Sequence, residues 1–292
     1  MKAVNKFLKL NLHLLHCGYI QLGAEWRFEG VISPFCRIYL ITEGEAWVYH
    51  HQRTFRLRPG FLYLIPSFTV SSYQCDATMT QYYLSLTEET DSGFSMFDMQ
   101  QMDYEVPALP IDALLFSRLL ELNPNRSLQN IDPKVYDNKP DLLSFNQPAH
   151  TQSMVQHLET QGILLQLFSR FMQSSDAAIR EHEQARIQLG GVLNYIHTHL
   201  SEKLTVAQLA ALQQVHPDHF SRQFCHLLGI RPIDYINNKR LERAQLLIAT
   251  SSLPLQTIAE QVGIPDIYYF SRLFKRRFGI PPGRYRKMGV QT

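Results

Sequence analysis

Cysteine is scarce: the 292 residues hold four, Cys17, Cys36, Cys75 and Cys225, no two of them at the short paired spacing of a zinc or dithiol motif. This argues against a disulfide scaffold and for reduced, buried thiols in a reducing compartment. Long apolar runs are also missing; none approaches the roughly 20 residues of a membrane helix, so no membrane partner is expected. Near the N-terminus Leu8, Leu10, Leu12 and Leu14 alternate with Lys9, Asn11 and His13, the period of a strand with a charge inside it rather than of a leader peptide. No small-residue cleavage site follows, and His16 before Cys17 does not suit a lipoprotein signal. The cytoplasm is the expected location. Catalytic triads and phosphate-cradling glycine loops are absent as well: the nearest glycine pair, Gly190-Gly191, lies within a helical pattern and follows no strand. The chain is not expected to be an enzyme.

What the chain does contain is a repeat. Phe220-Ser221-Arg222-Gln223-Phe224 returns as Phe270-Ser271-Arg272-Leu273-Phe274, and Gly229-Ile230-Arg231-Pro232 as Gly279-Ile280-Pro281-Pro282, each displaced by 50 residues. In the first copy Thr205 and Gln208 have the spacing of a capping box that opens a short helix through Leu209 and Leu212. His216-Pro217-Asp218 starts a second helix, with Pro217 suited to its first position, and Gly229 followed by Pro232 stops it. The second copy runs from Leu255 through Ile258-Ala259, turns at Gly263-Ile264-Pro265, restarts at Asp266 and stops at Gly279. Both read as helix-turn-helix units, joined by a long helix over 232–249 and preceded by a helix over 186–200.

At about 100° per residue, Phe220, Phe224, Leu227 and Leu228 share one side of the first unit's second helix, and Ile267, Phe270, Leu273, Phe274 and Phe278 share one side of the other. His219, Ser221 and Arg222, and likewise Tyr268, Ser271 and Arg272, are left on the free faces. Arginine can bond guanine in bidentate fashion, and hydroxyl or imidazole groups make adaptable contacts, so these six are the candidate base-reading residues. Asp218 repels phosphate, so it either accepts from a cytosine amino group or only supports its helix N-terminus, and the second is the favoured reading. Lys239, Arg240, Arg243, Lys275, Arg276, Arg284 and Lys287 are the candidate phosphate contacts. Charge agrees with this division: residues 181–292 hold 14 Lys/Arg against 8 Asp/Glu, and residues 1–180 hold 14 against 18. A polyanion partner suits only the C-terminal part.

The residues Arg240-Leu241, Ala244, Ile258-Ala259, Gly263, Tyr269-Phe270-Ser271-Arg272-Leu273-Phe274-Lys275, Gly279, Pro282 and Tyr285-Arg286 together resemble the AraC/XylS family of bacterial transcription regulators. The resemblance covers about residues 185–288. Two departures are local: Asp218 in the first reading helix, and Ile264-Pro265 where an aromatic and a small polar residue commonly follow the glycine.

Upstream, Arg37–Thr42, Ala46–His50, Thr54–Arg58, Phe61–Ile65, Val70–Tyr73 and Gln81–Leu86 are short runs rich in β-branched and aromatic residues, broken at Gly44, Pro59-Gly60 and Pro66-Ser67. Many short strands without intervening helices predict a sandwich or barrel. The run Glu43-Gly44-Glu45-Ala46, followed by Leu57-Arg58-Pro59-Gly60-Phe61-Leu62-Tyr63-Leu64-Ile65-Pro66, is similar to the cupin-like jelly roll that AraC-type regulators carry as a sensor. Metal-binding cupins place histidines on converging positions. Here the adjacent His50 and His51 are expected on opposite faces of a strand, and Ser71 stands where the later histidine would fall, so no metal or other cofactor is expected. Trp26, Arg37, Tyr39, Glu45, Trp47, Tyr49, Tyr63, Tyr73 and Tyr83 are the candidate lining of an effector pocket, with aromatic faces to stack on a sugar and polar groups to meet its hydroxyls.

The expected architecture is a multi-domain α+β chain. Residues 1–175 form an effector-binding and dimerisation domain, with a cupin-like β jelly roll over about 20–90 and helices over about 112–122 and 153–172; 173–183 is a linker; 184–292 is an all-α DNA-binding domain with two helix-turn-helix motifs. Between the helices, 123–152 is polar, contains four prolines and reads as a long loop. The resemblance implies a regulator, usually an activator, that binds double-stranded DNA. It further implies a small effector, here a sugar or glycan fragment, a homodimer built on the helices after the barrel, and contact with RNA polymerase. Two other readings compete: a metal-dependent cupin enzyme with a DNA-binding tail, and a regulator controlled by protein partners.

Overall fold

The computed structural model describes residues 10–90, 95–99, 102–128, 130–133, 153–172 and 189–288. The linker expected at 173–183 and most of the 123–152 loop lie outside them. Among the described residues nine strands make two antiparallel sheets: β1 (Leu10–Leu22), β8 (Met79–Thr90), β3 (Cys36–Gly44), β6 (Phe61–Ile65) and β9 (Glu105–Pro107) in one, and β2 (Arg27–Val31), β7 (Ser71–Gln74), β4 (Ala46–His50) and β5 (Arg53–Leu57) in the other. The first strand begins at Leu10, upstream of the span read as the barrel, and Leu10, Leu12 and Leu14 of the alternating leucines belong to it.

Over most of their length β3 and β8 are buried on both alternations, because both of their faces are covered. Cys36, Ile38, Leu40, Leu84 and Leu86 pack with α2 (Pro110–Leu122) and α3 (Met154–Ser169) through Phe116, Leu119, Leu164, Leu167 and Phe168. The alternate residues Tyr39, Ile41 and Tyr83 face the second sheet and pack with Trp26, Val48, Leu57, Tyr63 and Tyr73. A short helix, α1 (Met96–Met99), adds Met96 to the first of these cores. Ser153 opens α3 with a capping box to Gln156.

One expectation fails at the β4–β5 hairpin. His51 and Gln52 have φ of 49° and 58°, the two left-handed residues of a tight hairpin turn, so strand alternation stops at His50. The imidazoles of His50 and His51 therefore meet, with Nδ1 atoms 3.0 Å apart, instead of facing opposite ways. His50 stacks on Phe55 and His51 on Tyr104.

The remainder is helical: α4 over 189–198, α5 (Val206–Leu212), α6 (Pro217–Leu228), α7 (Pro232–Thr250), α8 (Leu255–Gln261), α9 (Ile267–Phe278) and α10 (Pro282–Met288). The Thr205–Gln208 capping box is formed, Asp266 caps α9, and Gly229 and Gly279 end α6 and α9 in the left-handed conformation. Each unit has its own core. Phe220 and Phe224 pack with Ile196, Leu209, Tyr235 and Ile236; Phe270, Phe274 and Phe278 pack with Leu241, Ala244, Ile248, Ile258 and Tyr285. Thus α7, at 19 residues about 28 Å long, is shared: its N-terminal half serves the first core and its C-terminal half the second.

Candidate nucleic-acid interface and barrel cavity

Burying the phenylalanines fixes what α6 and α9 offer to solvent. On α6 His219 and Arg222 are exposed, and Ser221 is half-buried with its hydroxyl donating to the Pro217 carbonyl at 2.9 Å. On α9 Tyr268 is 81% exposed, Arg272, Lys275 and Arg276 are exposed, and Ser271 is half-buried. All six candidate base-reading residues therefore reach the two free faces. An open groove of about 730 Å³ runs beside α6, lined by Asp218, Ser221, Arg222 and Cys225 on one side and Arg231 and Asp234 at the start of α7 on the other. Arg231 is an exposed cation here that the repeat comparison passed over, because the second copy has Pro281 at that place. The His216 imidazole accepts from the Asp218 backbone N–H at 3.3 Å, so the first turn of α6 is capped from outside.

Of the seven candidate phosphate contacts, Arg243, Lys275, Arg276, Arg284 and Lys287 are exposed. Two are corrected. Lys239 is held 3.0 Å from Glu242, with side chains only 11% and 15% exposed, and lies over the Tyr235 ring. Arg240 is buried: its Nε donates to the Leu200 carbonyl at 2.9 Å and an Nη to the Glu202 carbonyl at 2.5 Å. It braces the segment before α5 against α7, and burial lowers its pKa. Helical spacing put both residues on α7 but could not say which side of α7 the two cores would enclose.

In the barrel, the alternation that buries Tyr39 and Tyr83 between the sheets also sends polar residues there. Arg37 pairs with Ser85, Tyr39 with Tyr83 and Ile41 with Gln81 across β3 and β8. Together with Ile20, Leu22, Trp26, Leu128 and Ile131 these polar and aromatic residues line a cavity of about 30 Å³. Arg37, 2% exposed, donates to the Ser33 hydroxyl and to the Tyr73 hydroxyl, the latter at 3.2 Å. Gln81 is 3% exposed, and its Oε1 has no hydrogen-bond partner. Tyr83 accepts from the Leu128 backbone N–H at 2.8 Å, tying down the segment that closes the cavity. Burial raises the Tyr83 pKa.

Four of the nine expected lining residues, Trp26, Arg37, Tyr39 and Tyr83, meet at this cavity. Tyr63 and Tyr73 are core residues beside it; the Tyr63 hydroxyl is committed to the Arg56 carbonyl at 2.7 Å. Glu45, Trp47 and Tyr49 are corrected. On β4 the residues Ala46, Val48 and His50 turn inward, which leaves Trp47 and Tyr49 37% and 47% exposed on the outer face, and Glu45 is exposed and paired with Arg56. Gln81 and Ser85, absent from the expected lining, complete it, and the signal for them in the sequence is their strand phase with Tyr83 rather than aromatic character.

Residues 209–288 match the model of a helix-turn-helix domain, and residues 13–105 match that of an AraC-like ligand binding domain. The uncharacterized transcriptional regulator YisR of Bacillus subtilis is 38% identical over 94 residues, 32% of this chain and 33% of that protein. The arabinose operon regulatory protein of Escherichia coli is 30% identical over 126 residues, 43% and 42% of the two chains. The DNA-binding domain of AdpA, solved in complex with a target DNA, is 29% identical and covers 34% of this chain and 90% of its own, with a TM-score of 0.33. The chain spans between a third and a half of the length of these curated relatives. Among the described residues no helix is long and apolar enough to cross a membrane.

Proposed function

Since this chain joins an AraC-like ligand-binding domain to an AraC-type helix-turn-helix domain, as AraC-family transcription regulators do, we propose that it reads DNA through α6 and α9 under the control of a small effector held in the barrel. The observation that carries the reading is the match between the two units: each buries phenylalanines one turn apart and presents serine and arginine on the free face. Held by α7, the two helices can enter successive major grooves about 34 Å apart. Arg222 and Arg272 read bases, with His219, Ser221, Tyr268 and Ser271 as adaptable contacts; Arg243, Lys275, Arg276, Arg284, Lys287 and Arg231 hold phosphates.

The effector site is the cavity at Arg37, Tyr39, Gln81, Tyr83 and Ser85. Its hydrogen-bonding groups and the Trp26 ring suit a polyhydroxy compound, a sugar or glycan fragment. At about 30 Å³ it is far smaller than ordinary ligand pockets of about 300–1,000 Å³, so binding displaces Leu128 and Ile131. The protein acts in the cytoplasm as an activator, as a homodimer that contacts RNA polymerase. Selection of bound sequences from a random DNA pool, with and without a panel of mono- and oligosaccharides, tests this. Enrichment of two segments one helical turn apart, altered by one sugar, is expected; no enrichment under any condition would reject the DNA-reading role.

A further inference from the structure

The barrel touches the helical region on the side of α9 that faces away from the free surface. Ile32, in the β2–β3 connection, is 8% exposed and belongs to the apolar core of the second unit, with Leu241, Ile248 and Phe274. Its carbonyl accepts from Gln245 Nε2 at 2.6 Å, and the same nitrogen lies 2.6 Å from the Tyr285 hydroxyl. Gln245 is fully buried. A second bond runs from Arg277 Nη2 to the Phe68 carbonyl at 2.8 Å. At about 100° per residue Arg277 falls between Leu273 and Phe270, opposite Tyr268 and Lys275. Arg277, which directly follows Lys275 and Arg276 in the chain, is therefore half-buried against the barrel while they are exposed.

Both contacts lead back to the cavity. The Phe68 backbone N–H donates to the Ser33 carbonyl at 2.8 Å, and the Ser33 hydroxyl accepts from Arg37, which lines the cavity. Ser71 donates to the Val31 carbonyl at 3.3 Å and lies 2.9 Å from the Tyr73 hydroxyl, itself bonded to Arg37. One residue, Ser33, thus stands next to Ile32 in the chain, bonds Phe68 through its backbone and bonds Arg37 through its side chain.

We infer that residues 31–35 and Phe68 form a latch that seats the second helix-turn-helix unit on the barrel, that Gln245 and Arg277 are positioning residues rather than DNA contacts, and that Arg37 is the end of the latch a cavity ligand acts on. A ligand that draws the Arg37 guanidinium away from Ser33 shifts the loop carrying Ile32 and Phe68, and with it α9. A latch that runs through these hydrogen bonds and Ile32 is biased by any ligand whose affinity differs between the seated and released arrangements. The sensing end rests on the effector reading above; the seating of α9 does not.

Cys225 is exposed, whereas Cys17, Cys36 and Cys75 are buried, so the full chain with Ala24→Cys, an exposed turn residue of the barrel, takes a spin label on each region. Electron–electron distance measurement on this chain is expected to give one narrow distribution. Arg277→Ala and Ile32→Asp should broaden it and shift it to longer distances with unchanged circular dichroism, and Arg277→Lys, which can still donate to the Phe68 carbonyl, should restore it. Ser33→Ala should also broaden it. Narrow distributions in Arg277→Ala and Ile32→Asp would overturn the latch. Broadening in those two but not in Ser33→Ala would overturn the route from Arg37 while leaving the seating in place.

Discussion

Gly263 shows how one residue can be fixed from two sides. Its φ is +78°, and a Cβ built there would lie 2.4 Å from the Leu200 carbonyl oxygen and 3.0 Å from an Arg240 nitrogen. The turn of the second unit thus closes directly on the brace that Arg240 makes to the segment before α5. Gly229 has a φ of +68° with nothing within 4 Å of the added carbon, so it pays only the backbone term. Gly229→Ala is expected to cost about 1–2 kcal/mol from that conformation alone. Gly263→Ala must also displace a backbone carbonyl and should cost clearly more in thermal unfolding; equal costs would show that the Leu200 contact yields freely. His50 gives a residue-scale prediction in pH. Burial first, then the neighbouring His51 and Arg53, hold its pKa down to about 3, while an unfolded histidine titrates near about 6.5. Between those values the unfolded chain takes up a proton that the folded chain refuses. Stability is therefore intact above about pH 6.5 and falls toward pH 3, at up to about 1.4 kcal/mol per pH unit. His50→Phe, which keeps the stack on Phe55, should flatten that acid limb in melting temperature against pH. An acid limb as steep as the parent's would place the effect on other groups.

At the scale of elements, the proposed reading helices separate two kinds of cation. Arg222→Ala and Arg272→Ala should each lose about 1–3 kcal/mol on a selected site and little on random DNA. Arg276→Ala should weaken both alike and reduce the slope of log affinity against log salt by about 1, whereas Lys239→Ala, whose ammonium is already paired with Glu242, should leave that slope unchanged. A slope change for Lys239→Ala would mean that the ion pair opens on DNA. These helices were legible in sequence because their signals are local: a capping box, a proline at the first position, a glycine stop and apolar residues at helical spacing all agree. The face of β4 was not. Ala46-Trp47-Val48-Tyr49-His50 is apolar on both alternations, and only pairing with β5 and β7 decides that Trp47 and Tyr49 look outward. His50-His51 misled for a related reason: alternation was extended one residue into a turn without the glycine or asparagine that usually marks it. Helical phase turns Arg277 away from Tyr268 and Lys275, but the barrel loop that receives it is 209 residues away in sequence and leaves no trace there.

At the scale of the whole molecule, the helices after the barrel carry more apolar surface than the barrel can cover. Ile163, Leu164, Leu167 and Phe168 of α3 are buried in one core with the five-stranded sheet. Yet Met154, Val155, Leu158 and Leu165 are 72%, 72%, 62% and 40% exposed, and Leu114 of α2, which packs beside α3, is 65% exposed. Met154, Leu158 and Leu165 recur at helical spacing on one side, so these exposed apolar residues share one face of α3 rather than being scattered round it. A second copy of the same stripe is a self-complementary cover, as a two-fold contact requires. Under the proposed homodimer, Leu158→Glu should shift the sedimentation of the full chain from dimer to monomer without altering its circular dichroism, because the side chain has little to lose inside its own subunit. The same variant should lose more affinity for DNA carrying two sites than for DNA carrying one, since only the dimer gains from the second site. If the parent chain already sediments as a monomer at the concentrations where it binds paired sites, the stripe is not the subunit contact, and the pairing of sites must then come from α6 and α9 of a single chain.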